Sequence, residues 1–274
     1  MTIIINPRPL HGRPAIRTPQ LLFLHGWATD SSIWQHQIEE LSKDYEVIAI
    51  DLPGHSEKDR WDEPTLQPAI EKVINKISDF KSAIRNPQSA YIVAVGWSLG
   101  GQAILEMAAS APDLFKAVIL VASSPCLVAR KDFPWGQPPG VAKRMLKDVK
   151  KDFINAMKRF YPLNFTPEEL ATADAQRFLK HSTNMASAFD PGSMAKSLEA
   201  LLSFDIRKHL GRIKTPALIL QGSKDSVCHP GAATYLAKNI GNAKTEIVKG
   251  AGHIPFLTRR KEFNNSIKGF IETL

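Results

Sequence analysis

Five short runs of this chain, residues 21–24, 47–50, 91–95, 118–121 and 217–220, are apolar without interruption. Continuous rather than alternating hydrophobicity marks strands covered on both faces, as in a parallel sheet. Helical patterns fall between them at 33–41, 66–77, 101–109 and 232–236. Strands alternating with helices predict a doubly wound, mostly parallel α/β sheet. The rhythm stops after Val121. From about 126 to 210 no strand pattern appears, and the strand rhythm returns at Thr215-Pro216. An all-helical insertion between two core strands predicts a cap (126–210) on a core (1–125 and 211–274). It would sit over the C-terminal strand edge, where open α/β sheets place their ligands. Within it, Val141, Met145, Val149, Phe153, Met157 and Phe160 recur at steps of four or three, which predicts one helical stripe facing the core.

The chemistry concentrates at Gly96-Trp97-Ser98-Leu99-Gly100. This G-x-S-x-G lies between the apolar run 91–95 and the Ala-, Leu- and Met-rich stretch 101–110. Strand, sharp turn and helix are the context of a nucleophile elbow. The tight turn demands small neighbours, hence Gly96 and Gly100. It also sets the Ser98 hydroxyl at a helix N-terminus, where free N–H groups favour developing negative charge.

A serine hydroxyl is a weak nucleophile and needs a base. In the elbow arrangement an acid and then a histidine follow in chain order. Asp225, in Gln221-Gly222-Ser223-Lys224-Asp225, follows the run 217–220. His253, in Gly250-Ala251-Gly252-His253, follows the short strand pattern 246–248. Both then lie on loops at the strand edge that carries Ser98. His253 would take and return the Ser98 proton, and Asp225 would hold its tautomer. Activity is therefore expected to fall on acidification. His229, four residues after Asp225, is the rival base. His36, His181 and His209 read as surface residues, His25 as structural, and Asp51 as a turn-stabilising carboxylate. An oxyanion hole needs two backbone donors. The candidates are Leu99 N–H and, from Leu24-His25-Gly26-Trp27, the Trp27 N–H. Phe133, Trp135 and Phe160 are candidate apolar pocket walls, with packing inside the cap as the alternative. No P-loop, G-x-G-x-x-G or metal-ligand spacing occurs, so neither cofactor nor metal is expected.

Charge changes the picture in one place. The net charge is +8. Residues 143–159 hold Lys143, Arg144, Lys147, Lys150, Lys151, Lys158 and Arg159 against Asp148 and Asp152, a net +5. On a single helix most of these cations gather opposite the apolar stripe, with Ile154 among them. Such a face reads either as a solvated surface or as a docking site for an acidic partner. Two cysteines without a metal or redox motif, no signal-peptide pattern and no long apolar run predict a cytoplasmic protein outside the membrane.

Leu24-His25-Gly26-Trp27, Gly96-Trp97-Ser98-Leu99-Gly100-Gly101 and Val121-Ala122-Ser123-Ser124-Pro125-Cys126 together resemble the α/β-hydrolase superfamily. Within it they resemble the family of pimeloyl-[acyl-carrier protein] methyl ester esterases of biotin synthesis. Trp27 and Trp97 are the distinctive choices. The resemblance implies a triad of Ser98, Asp225 and His253, with oxyanion donors at Trp27 and Leu99. It implies a methyl-capped pimeloyl chain on carrier protein as substrate. It also implies basic cap residues that hold the acidic carrier. Arg159 matches one such position, and Lys151 and Lys158 are further candidates for docking the carrier. Asn155 stands where the family can carry arginine, and Arg177 matches with a gap. The Pro- and Arg-rich segment 7–18 does not match. The reading is a serine carboxylesterase with acyl carrier protein as partner. Its rivals are a hydrolase of small free esters or of a carbon–carbon bond, and a non-catalytic ligand receptor. No nucleic-acid partner is expected, since neither aromatic-basic interleaving nor a reading motif accompanies the charge.

Overall fold

The computed structural model describes residues 3–6, 19–56, 59–83 and 91–274. The segment 7–18 that departs from the family lies outside the described residues. Seven strands form one sheet: β1 (Ile3–Asn6), β2 (Pro19–Leu24), β3 (Glu46–Ile50), β4 (Tyr91–Trp97), β5 (Ala117–Val121), β6 (Ala217–Gly222) and β7 (Ala243–Val248). Their order is β1-β3-β2-β4-β5-β6-β7. β1 runs antiparallel to β3, and every other neighbouring pair is parallel. β2, β5 and β6 are buried at every position, which is why their sequences are uninterrupted apolar runs. β7 is an edge strand and mixes exposed with covered positions, so only its end carries the apolar pattern. β1 has no counterpart among the sequence-derived strands.

In the core, the helices are α1 (Gln35–Leu41), α2 (Gln67–Ala83), α3 (Leu99–Ser110), then, beyond β6, α9 (Pro230–Asn239), α10 (Pro255–Thr258) and α11 (Arg260–Ile271). Between β5 and β6 run α4 (Pro139–Lys151), α5 (Phe153–Phe160), α6 (Pro167–Leu170), α7 (Ala173–Ala186) and α8 (Pro191–Ser203). The expected continuous stripe from Val141 to Phe160 is corrected here. The chain leaves the helix at Asp152 (φ −159°, ψ 89°), whose carboxylate accepts the Asn155 N–H and caps α5. An aspartate competes for exposed N–H groups and so favours a cap over a helix interior. Along the two helices Val141 is 52% exposed, while Val149, Phe153 and Met157 are buried.

Parallel pairing carries the strand ends into register. Leu24 lies opposite Gly96, Trp97 opposite Val121, Val121 opposite Leu220, and Gly222 opposite Val248. The loops after β2, β4, β6 and β7 therefore emerge side by side at one edge. An aromatic layer of Phe23, Trp34 and Phe256 supports them, with ring centroids 5.0 and 4.2 Å apart, and Phe256 reaches Trp97 at 5.3 Å.

Candidate active site

Ser98 sits between β4 and α3 with φ 52° and ψ −112°. A positive φ in a residue with a Cβ costs about 1–3 kcal/mol and persists only where the surroundings enforce it. Here Ser98 N–H donates to Val121 O (3.0 Å), while Ser98 O accepts from Ser123 Oγ (2.8 Å) and Gln102 N–H (3.1 Å). The flanking glycines are steric necessities. A Cβ on Gly96 would stand 2.5 Å from Gly100 O, and one on Gly100 would stand 2.4 Å from Leu24 O. α3 begins at Leu99 with no acidic residue in its first turn. Its first N–H groups lack intrahelical acceptors and point toward the serine.

Asp225 and His253 meet on neighbouring loops. His253 Nδ1–H donates to Asp225 Oδ2 at 2.8 Å, with the histidine 1% and the aspartate 4% exposed. Asp225 accepts three further hydrogen bonds, from Gln221 Nε2 (2.8 Å), Val227 N–H (2.8 Å) and Cys228 N–H (2.9 Å). A carboxylate so filled holds the imidazole in one tautomer and leaves Nε2 with its lone pair. The loop that carries His253 is tied as well. Trp97 Nε1–H donates to His253 O (2.9 Å), and His253 N–H donates to Asn164 O (2.8 Å).

Ser98 and His253 line one cavity of about 90 Å³. Its other walls are mostly apolar, among them Trp27, Leu127, Met145, Phe160, Leu198 and Leu201. The two oxyanion candidates are placed differently. Leu99 opens α3 directly after the serine. The Trp27 indole N–H already donates to Ser197 Oγ (2.9 Å) and Met194 O (3.2 Å), so only its main-chain N–H is left for a ligand. Of the three aromatic wall candidates, Phe160 lines the cavity. Phe133 and Trp135 do not. They pack on each other and on Tyr235 of α9, at 5.5 and 5.1 Å from Phe133, in a separate cluster with Cys126 and Ala232. The backbone at Gly136 lies close against Ala129, where a Cβ would stand 2.3 Å from Ala129 N.

The remaining candidates also find places. His229 is exposed, and its Nδ1 accepts the Gly231 N–H (2.9 Å) at the start of α9. His25 is buried. Its Nδ1–H donates to Gly26 O (2.7 Å) and its Nε2 accepts the Leu52 N–H (2.8 Å). Asp51 accepts the Ser31 N–H (2.8 Å). Lys151, Lys158 and Arg159 are exposed on α4 and α5, where Arg159 reaches Asp148 (3.2 Å). Arg177 is exposed on α7, paired with Asp174. Ile154, which the helical pattern sets among the cations, is half-buried against the core. Sequence reasoning missed Gln221, Asn164 and Glu169. A polar Gln221 closing an apolar strand was the available signal for the first. Thr166-x-x-Glu169 signals a helix cap and nothing more. Among the described residues no His/Cys/Asp/Glu group has metal-binding geometry, and no helix is long and apolar enough to cross a membrane.

A family model described as alpha/beta hydrolase fold matches residues 19–259. A pimeloyl-[acyl-carrier protein] methyl ester esterase of Nitrosomonas europaea is 29% identical over 245 residues, covering 89% of this chain and 92% of the relative. One from Vibrio parahaemolyticus is 30% identical over 264 residues, covering 96% and 98%. Among solved structures, an enol-lactonase from Burkholderia xenovorans LB400 superposes with TM-score 0.83 at 22% identity, covering 99% and 96%. An esterase from Exiguobacterium antarcticum does so with TM-score 0.83 at 21% identity, covering 98% and 95%. These two likenesses speak for the fold. The chain belongs to the alpha/beta hydrolase fold family and resembles its pimeloyl-[acyl-carrier protein] methyl ester esterases.

Proposed function

We propose that this chain is a serine carboxylic ester hydrolase that removes the methyl ester from a pimeloyl chain carried on acyl carrier protein. The observation that carries the reading is the strained Ser98 in one cavity with a His253 whose Nδ1 is held by Asp225. In the proposed cycle His253 Nε2 takes the Ser98 proton as Oγ attacks the ester carbonyl. The carbonyl oxygen gains charge, and the N–H groups of Leu99 and Trp27 stabilise it. His253 then gives its proton to the leaving methoxide, which departs as methanol. A water, deprotonated by His253, attacks the acyl-enzyme and frees the carboxylate and Ser98. Asp225 stabilises the imidazolium in both halves.

Residues 126–210 form a cap on the core of 1–125 and 211–274. The cap supplies the apolar wall Met145, Phe160, Leu198 and Leu201, suited to a methylene chain. The names of the curated relatives support a carrier-linked substrate. So do the exposed cations of α4 and α5, which can meet an acidic carrier. Docking of this kind raises the on-rate and weakens with salt. The test compares a methyl ester on acyl carrier protein, followed by mass spectrometry, with a small free ester. Reversing Lys151, Lys158 and Arg159 to glutamate is expected to raise KM at least tenfold for the carrier-linked ester alone. Equal effects on both substrates, or no effect on either, would leave this face as mere solvation.

A further inference from the structure

The loops after β2, β6 and β7 must keep their places for the oxyanion donors, Asp225 and His253 to meet Ser98. One short stretch of the insertion touches all three. Tyr161 O–H donates to Ala28 O (2.8 Å) beside Trp27, where Ala28 is held at φ 56°. Ser226 Oγ–H, next to Asp225, donates to Leu163 O (3.0 Å). Asn164 O takes the His253 N–H (2.8 Å). Glu169 then takes the Gly252 N–H on Oε2 (3.0 Å).

Glu169 is unusual for a helix cap. Its Oε2 accepts the Thr166 N–H (3.0 Å) and completes a capping box, the ordinary task of such a residue. Yet it is only 2% exposed. Its second oxygen accepts from Thr258 Oγ1 (2.6 Å) and faces Arg259 Nη1 at 3.8 Å. One carboxylate thus joins α6 to both ends of the segment 252–259. The fit is close: a Cβ on Gly252 would stand 2.7 Å from Asn164 O and 2.9 Å from Glu169 Oε2. Burial pushes the Tyr161 phenol up from its ordinary range, so it remains a donor to Ala28. Leu163 and Asn164 also line the cavity, whereas Glu169 does not.

We propose that residues 161–169 hold the catalytic loops in register and that Glu169 is a positioning residue for His253, acting through the Gly252 N–H. The proposal rests on the serine-hydrolase reading above. Without Glu169 the Gly252 N–H loses its acceptor and the base loop keeps a single tie to the insertion. A displacement of about 1 Å at a reacting group costs on the order of 10²-fold in rate. Because Glu169 lies outside the cavity, the loss falls on kcat and leaves KM alone.

The test uses a short chromogenic ester and the full chain. Glu169→Ala is expected to lose ten- to a hundredfold in kcat with KM within twofold. The rate of Ser98 labelling by a fluorophosphonate should fall in parallel. Glu169→Gln should recover most of the loss, since its oxygen still accepts both N–H groups and its amide reaches the Thr258 hydroxyl. Tyr161→Phe should lose three- to tenfold in kcat. Val149→Ala, buried in α4 outside the cavity, should lower the melting temperature and leave kcat unchanged. A Glu169→Ala enzyme within twofold of wild-type kcat, or a Val149→Ala enzyme equally impaired, overturns the proposal. If Glu169→Ala does not fold, an unchanged kcat in Tyr161→Phe overturns it. Ser98→Ala is assayed alongside: if it stays active the serine reading itself fails, and if it is dead only the clamp is in question.

Discussion

Two sites at the same sheet edge bury histidines, and they are built in opposite ways. At the first, His253 has a carboxylate on Nδ1 and shares a cavity with Ser98. At the second, His25 and His55 stand 5.0 Å apart beneath the loop after β2. Both nitrogens of His25 are spent on backbone, one as donor and one as acceptor. His55 Nδ1–H donates to Pro53 O (2.9 Å), and its Nε2 is buried with no hydrogen-bond partner among the described residues. Burial pushes His25 down and His55 down to about 3, and the charge of Asp51 only partly offsets it. These two rings are therefore neutral struts for the backbone at neutral pH. A carboxylate that waits for the imidazolium and a second nitrogen that meets a cavity suit a buried histidine to the role of base, the role proposed for His253.

The contrast breaks most sharply at the base itself. His253→Ala should lower kcat by about 10⁵–10⁶ while the fold survives, as measured on any hydrolysed ester. Residual activity of a tenth would move the base elsewhere, with His229 the first candidate. Since His229 caps α9 and faces solvent, His229→Ala should retain near-normal turnover.

Asp225→Asn sharpens it by giving His253 a neutral partner like those of His25. Asparagine can donate to Nδ1 and so favours the wrong tautomer. A loss of about 10⁴ in kcat is expected, with KM nearly unchanged. A loss of less than tenfold would show that the carboxylate only buttresses the loop.

The strut site is read by stability rather than rate. His55 is neutral when folded and binds a proton when unfolded below its ordinary 6.5. The unfolded chain holds the extra proton between about 3 and 6.5, so stability is full above 6.5 and falls as pH drops through that window. His55→Gln keeps the bond to Pro53 O and removes the titration. Urea unfolding between pH 4 and 6 should then show a pH slope shallower by up to about 1.4 kcal/mol per unit. An unchanged slope would mean that other groups carry the acid sensitivity.

Some of this was legible in one dimension. The runs at 21–24, 118–121 and 217–220 announce strands because β2, β5 and β6 are covered on both faces. Gly96 and Gly100 announce the elbow because backbone atoms stand where their Cβ atoms would be. The helix break at Asp152 was not legible, because apolar residues at steps of four continue through it while the aspartate caps a new helix. Phe133 and Trp135 misled for a related reason. Aromatic residues pack a domain flank as well as a pocket, and no local pattern separates the two uses.

By itself the sequence determined the alternation of strand and helix, the sharp turn at Ser98 and the chain order in which the proposed acid Asp225 and base His253 follow it. These depend on periodicity and on steric demands within a few residues. Tertiary structure decided how the ring nitrogens of His25, His55 and His253 are used. It decided that Glu169 of α6 grips the loop of His253, 84 positions along the chain, through the Gly252 N–H. It also decided that Phe160 meets the cavity while Phe133 does not. Those outcomes depend on hydrogen bonds and packing between segments distant in sequence, and pairings of that kind leave no local trace in the order of residues.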